Sequence, residues 1–189
     1  MVETCASGQS VGRETLFAAL CHLDQRCRDH GAGMPQQEEP ADIWAGVLFF
    51  VGRISLLSSL ADIEEVLDLP QGITRVPATT HWVHGIANNR GTLLPIFDLR
   101  SFLFGVPTSH SSKNRVMVVR QTGFSLGLLV NDVVGIRRLE ASTRLPEAPK
   151  LGEGIDGLLV GSFRLGIERK AVLDLQKLAL DGRFNQVVA

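Results

Sequence analysis

A few short groups of residues in this chain carry side chains that could do chemistry. Gly123-Phe124-Ser125-Leu126-Gly127 fits Gly-x-Ser-x-Gly, the pattern of a nucleophile elbow, in which a serine attacks an acyl carbon with a histidine as its base. An elbow needs a helix straight after the serine, whereas Leu128-Leu129-Val130 continues as strand. The usual order also needs a later histidine, and the last one is His110. A triad in another chain order stays open, so a small serine hydrolase using Ser125 is the enzyme-class alternative. His81 and His84 could share one helical face, but no carboxylate or cysteine nearby completes a coordination set, so no metal and no cofactor is expected. Glu64 and Glu65 are adjacent and point different ways, which suits a solvated face or a basic partner better than acid–base work. The remaining candidate is Arg90, held between Asn89 and Gly91.

Arg90 must be positioned by its flanks. Val83–Asn88 and Thr92–Phe97 read as two strands joined by a tight turn, for which Gly91 supplies a positive φ. An always-charged side chain fixed at a strand end is placed for recognition more than for catalysis. Asp98 then caps a helical turn near Ser101–Gly105. Further strands are predicted at Ala45–Val51, Ile54–Leu60, Arg115–Gln121, Phe124–Val130, Val133–Arg138, Gly157–Ser162, Arg164–Ile167 and Lys170–Leu173, with a terminal helix at Leu175–Gly182. Short strands at regular spacing with frequent turns predict a mainly β barrel or sandwich architecture. The run Ala61–Leu67, with Ile63 and Val66 set among acids, serves equally as core or as an edge patch.

The bulk numbers exclude several classes. With 19 basic against 20 acidic residues and a formal charge of -1, no basic stripe suits a nucleic acid. No apolar run approaches the ~20 residues of a membrane span, and the first residues lack a secretory leader, so the protein is expected in the cytoplasm without direct membrane insertion. Cys5, Cys21 and Cys27 form no Cys-x-x-Cys pair and read as reduced thiols. Leu16, Leu20, Leu23 and Cys27 fall on one face of an N-terminal amphipathic helix, followed by a Pro/Gln/Glu linker at Met34–Pro40. The expected organisation is a helix and linker over 1–43, a β domain over 44–182 and a tail over 183–189.

A faint repeat runs through the β region. Asp62-Ile63 with Val66 matches Asp132-Val133 with Ile136, Gly85-Ile86 matches Gly154-Ile155, and Ile96-Phe97-Asp98-Leu99 matches Val172-Leu173-Asp174-Leu175. Three matches in one order at similar offsets predict two similar β subdomains.

The stretch Gly85–Leu99 resembles the signature of CheW-like coupling proteins: Gly-apolar-x-Asn-apolar-Arg-Gly, then an apolar strand containing Pro and ending Asp-Leu. Asp62–Val66, Pro77 and Gly127–Val133 are similar to the flanking elements, so the resemblance covers about residues 45–180. The leading helix, the acidic linker and Trp44 look most like the branch that serves type IV pilus twitching motility. The resemblance implies two five-stranded SH3-like β barrels, carrying here an N-terminal amphipathic helix and a short C-terminal helix. It implies a non-enzymatic adaptor that links a methyl-accepting chemoreceptor to a CheA-type histidine kinase. Ile63, Glu65 and Gly85 fall at kinase-contacting positions, and Arg90, Gly127 and Val133 at receptor-side positions. Two residues depart from the pattern. Asn89 stands where an apolar residue is usual, exposed or paired, and Asn131 stands where Asp is common. A β-barrel adaptor in an unrelated pathway is a further alternative.

Overall fold

The computed structural model describes residues 42–121 and 123–187. The N-terminal helix, the linker and the three cysteines lie outside the described residues, so those expectations are not addressed by it.

Eleven strands form in chain order: β1 (Ile43–Val51), β2 (Ile54–Ser59), β3 (Ile63–Asp68), β4 (Val83–Asn89), β5 (Thr92–Asp98), β6 (Arg115–Gln121), β7 (Phe124–Val130), β8 (Asp132–Glu140), the two-residue β9 (Arg144–Leu145), β10 (Leu159–Leu165) and β11 (Glu168–Leu173). Among the described residues four short α-helices accompany them: α1 (Leu99–Phe104), α2 (Glu153–Asp156), α3 (Leu175–Leu180) and α4 (Gly182–Asn185). Among the described residues no helix is long and apolar enough to cross a membrane.

The strands make a six-stranded sheet, ordered β8-β1-β2-β11-β10-β9, and a five-stranded sheet, ordered β3-β6-β7-β5-β4. In the five-stranded sheet β3 and β4 are opposite edges, yet Glu65 on β3 reaches Asn89 and Arg90 at the end of β4. The sheet therefore curls until its edges meet, as expected for an SH3-like barrel.

The duplication is real, and it is exchanged. With β1–β5 as one copy and β6–β11 as the other, each sheet takes the β1β2-type hairpin from one copy and its remaining strands from the other. Pairing registers agree residue for residue. Leu48 faces Gly135 as Val118 faces Glu65, and Val172 faces Leu57 as Ile96 faces Gly127. Neither barrel can form without both halves, so the non-local pairings are obligatory. Asp98 and Asp174 accept from the backbone amides at the starts of α1 and α3 in matching positions.

Two matches of the expected repeat thus stand, and one needs correction. Gly154 lies in α2, whereas the structural counterpart of Gly85 is Gly161. Both glycines have φ that L side chains avoid, +146° and +133°. At each, a Cβ would press on a carbonyl of a crossing segment, 2.5 Å from Thr74 O and 2.6 Å from Leu145 O. The constraint is close backbone approach, and the following residue is free to differ.

Other boundaries also moved. Ile63–Asp68 is a full edge strand with alternating exposure, which settles the ambiguous acidic run. The two strands predicted over Gly157–Ile167 are one strand, β10, because its pairing with β11 runs unbroken through Phe163 and turns only at Gly166, φ 63°. The terminal helix breaks at Asp181, which leaves helical geometry (ψ 123°) and accepts from Arg183 N to start α4.

The main core, including Phe49, Phe97, Met117, Leu128, Ile155, Leu173 and Phe184, draws on both sheets and the short helices. Each sheet also closes a small cluster of its own: Ala87, Leu94, Ile96, Val116, Val118 and Leu129 in one, and Leu48, Leu57, Phe163 and Val172 in the other.

Candidate interaction surface

The curl of the five-stranded sheet collects the side chains that the sequence singles out. Arg90 occupies the β4–β5 turn with φ 52°, followed by Gly91 at 89°, so both turn residues are left-handed, as a two-residue hairpin prefers. Asn88 Oδ1 accepts from Gly91 N at 2.7 Å and pins the turn. The Arg90 guanidinium then lies 3.2 Å from Glu65, whose other oxygen accepts from Asn89 Nδ2 at 2.6 Å. Asn89, which departs from the resembled pattern, is therefore a paired residue: it supplies the second hydrogen bond that orients Glu65.

Glu64 stands beside this pair on the β3 bulge opposite β6. It accepts from Ser125 Oγ at 2.9 Å and lies 3.4 Å from an Arg120 nitrogen. Leu93 and Phe124 rim the same cleft and are exposed at 72% and 59%, large apolar groups flanking a charged centre. That mixture is the make-up of a contact surface.

Ser125 does not have the setting of a nucleophile elbow. It sits within β7, with no helix following, and the cleft around it contains no histidine. His84 and His110 line a different cavity, and His81 packs edge-on against Trp82. His81 and His84 precede and open β4 and are not on a helix. Burial lowers the pKa of His84, with Arg75 adding to the shift and Asp98 opposing it. Among the described residues no group of three His, Cys, Asp or Glu side chains could hold a metal.

The six expected contact residues fall into three kinds. Glu65 and Arg90, expected on different partners' sides, touch each other. Gly85 and Gly127 are buried and act through packing. A Cβ on Gly127 would lie 2.7 Å from Val116 and 3.3 Å from both Ile96 and Leu94. Ile63 and Val133 are structural counterparts on β3 and β8, half-buried and packed against the main core. Leu93 and Phe124 carry no sequence signal as members of the cleft, and Glu64 none beyond its suitability for a basic partner, because their proximity depends on the sheet's curl. Asn131, which stands where Asp is common in the resembled pattern, accepts at its Oδ1 from Gly52 N at 2.5 Å.

A model of the CheW-like domain matches residues 45–181, nearly the whole of this β region. The chain belongs to the CheW-like family. Among its relatives, the protein PilI of Pseudomonas aeruginosa is 35% identical over 150 residues, covering 79% of this chain and 84% of PilI. The chemotaxis protein CheW of Thermotoga maritima is 30% identical over 132 residues, covering 69% and 83%. In fold, this chain is similar to the crystal structure of the scaffolding protein TtCheW from Thermoanaerobacter tengcongensis. The TM-score is 0.63 at 22% identity, over 75% of this chain and 90% of that one.

Proposed function

We propose that this CheW-like chain is a non-catalytic cytoplasmic adaptor that couples a methyl-accepting chemoreceptor to a CheA-type histidine kinase, in a chemosensory system for twitching motility. The observation that carries this reading is the likeness to PilI, which extends over most of both chains. The cleft supports it by offering apolar rims around an ion pair and no catalytic set. On this reading β3 and its Glu64–Glu65 pair face the kinase, with Ile63 and Gly85 holding the strand and its crossing loop. Arg90 reaches that face through Glu65. The junction beside Val133, which packs on the main core, is left for the receptor, and Gly127 sets the packing of the five-stranded sheet's own small cluster. Such contacts are individually weak, and coupling depends on several being made at once.

Co-purification from the native host tests the adaptor directly. A histidine kinase and a chemoreceptor are expected to come down together with the tagged chain, and recovery of neither would remove the proposal. Labelling with a fluorophosphonate is expected to leave Ser125 unmodified; labelling abolished by Ser125→Ala would restore the hydrolase alternative.

A further inference from the structure

Leu93 and Phe124 are neighbours on the surface. The parallel pairing of β5 with β7 aligns Ile96 with Gly127, and three residues back along both strands it brings Leu93 level with Phe124. Both line the cleft around Glu64 and Glu65, at 72% and 59% exposure. Single exposed apolar side chains are ordinary, whereas two large ones side by side form a patch.

The charges of the same cleft are already paired with one another. Glu64 accepts from Ser125 Oγ at 2.9 Å and lies 3.4 Å from an Arg120 nitrogen, and Glu65 holds Asn89 and Arg90. Two carboxylates meet two guanidinium groups. An arriving cation therefore gains little, because each carboxylate it could meet is already offset. The basic partner that this acidic pair suits is internal, and what the cleft has left to offer is its apolar rim.

The exchanged duplication supplies a comparison. At matching registers the six-stranded sheet has Arg169 in the place of Leu93 and Ile54 in that of Phe124. Arg169 is exposed, while Ile54 is half-buried and packed on the main core. Gly135 and Gly166 stand in the places of Glu65 and Arg90. The apolar pair and its closed set of charges belong to one barrel only.

We propose that Leu93 and Phe124 are the anchors of the kinase contact, and that they take an uncharged, apolar segment of the kinase seated beside β3, with the paired charges as its polar rim. The inference rests on the adaptor reading and names the chemistry of its kinase side. Glu65 then acts indirectly, by holding the turn from which β5 carries Leu93.

The kinase recovered with the tagged chain, titrated calorimetrically with the full-length protein, tests it. Phe124→Ser and Leu93→Arg are each expected to weaken binding at least about tenfold, the second by installing the residue found at the matching place on the other sheet. Both side chains are exposed, so the far-UV spectrum and the thermal midpoint are expected to stay those of the wild type. Should Phe124→Ser fail to fold, Leu93→Arg decides. Arg169→Leu is expected to leave the affinity unchanged. Raising the salt from about 0.1 M to about 0.5 M is expected to change it by less than about threefold, because the anchors carry no charge. Wild-type affinity in the folded Leu93 and Phe124 variants, equal weakening in Arg169→Leu, or a loss of about tenfold or more in salt would each overturn the anchors while leaving the adaptor reading in place. No binding by the wild type would instead remove the adaptor reading, and this proposal with it.

Discussion

Arg90 and Glu65 lie 3.2 Å apart across the two edges of one sheet, so a single ion pair marks where the five-stranded barrel closes. Its energetics are modest, because the Arg90 side chain is 80% exposed and its charge is screened by solvent. Its geometric consequence is larger. The carboxylate collects the two turn side chains Asn89 and Arg90, and so fixes how the turn meets β3.

Arg90→Ala is accordingly expected to cost about 0–1 kcal/mol of stability, since it loses only a surface pair. Arg90→Gly should cost still less, because glycine takes the observed φ of 52° without strain. Urea unfolding measures both. A loss of several kcal/mol in Arg90→Ala would show that closure, and not recognition, is the residue's main work.

Glu65→Arg reverses the charge that both turn residues use. On the adaptor reading it weakens kinase capture in a pull-down by about tenfold or more, while the far-UV spectrum stays that of the wild type. Unchanged capture would remove β3 from the kinase face.

Asp98 is 4% exposed and accepts from Ser101 N, Thr108 N and Thr108 Oγ1 at 2.7–3.0 Å. Its counterpart Asp174 caps α3 from a more accessible position. Asp98→Ala is expected to cost about 2–4 kcal/mol and Asp174→Ala about 1 kcal/mol, read as a difference in denaturation midpoints. Equal losses would mean that the Thr108 bonds contribute nothing.

Gly85→Ala forces a Cβ to within 2.5 Å of Thr74 O and demands an unfavourable φ. Hydrogen exchange should then accelerate at the Thr74 and Ile86 amides, which bond reciprocally at 2.8 Å. Protection as in the wild type would show that the crossing segment can yield.

His84 has its pKa lowered, chiefly by burial, so the folded state holds the neutral ring more tightly than the unfolded state does. The resulting stability is fully present above the ordinary value of 6.5, and is lost as pH falls from there through the folded-state pKa. His84→Val, which installs the residue found at the equivalent place in the other sheet, is expected to flatten that limb of the stability–pH curve. A curve of unchanged shape would assign the dependence to another group.

What the sequence determined by itself was local. The Asn89–Gly91 turn, the strand runs on either side of it, the Asp98 cap and the Asp-Leu repeat could be read because each depends on neighbours a few residues apart. Side-chain types in the signature stretch were enough to suggest the family. Where the chain crosses itself local pattern is silent: spacing pairs Gly85 with Gly154, yet its counterpart is Gly161, because the constraint at Gly85 is a carbonyl from Thr74.

Only the tertiary structure decided that the two copies exchange hairpins and that Glu65 meets Arg90. It alone placed Asn114 at the register position that Trp44 takes in the other sheet. The physical reason is that strand order and sheet curl are set by long-range pairing and burial, whose energy is shared over many residues. A spacing along the chain records which side chains are available. It does not record which of them closing a barrel will bring within 3 Å.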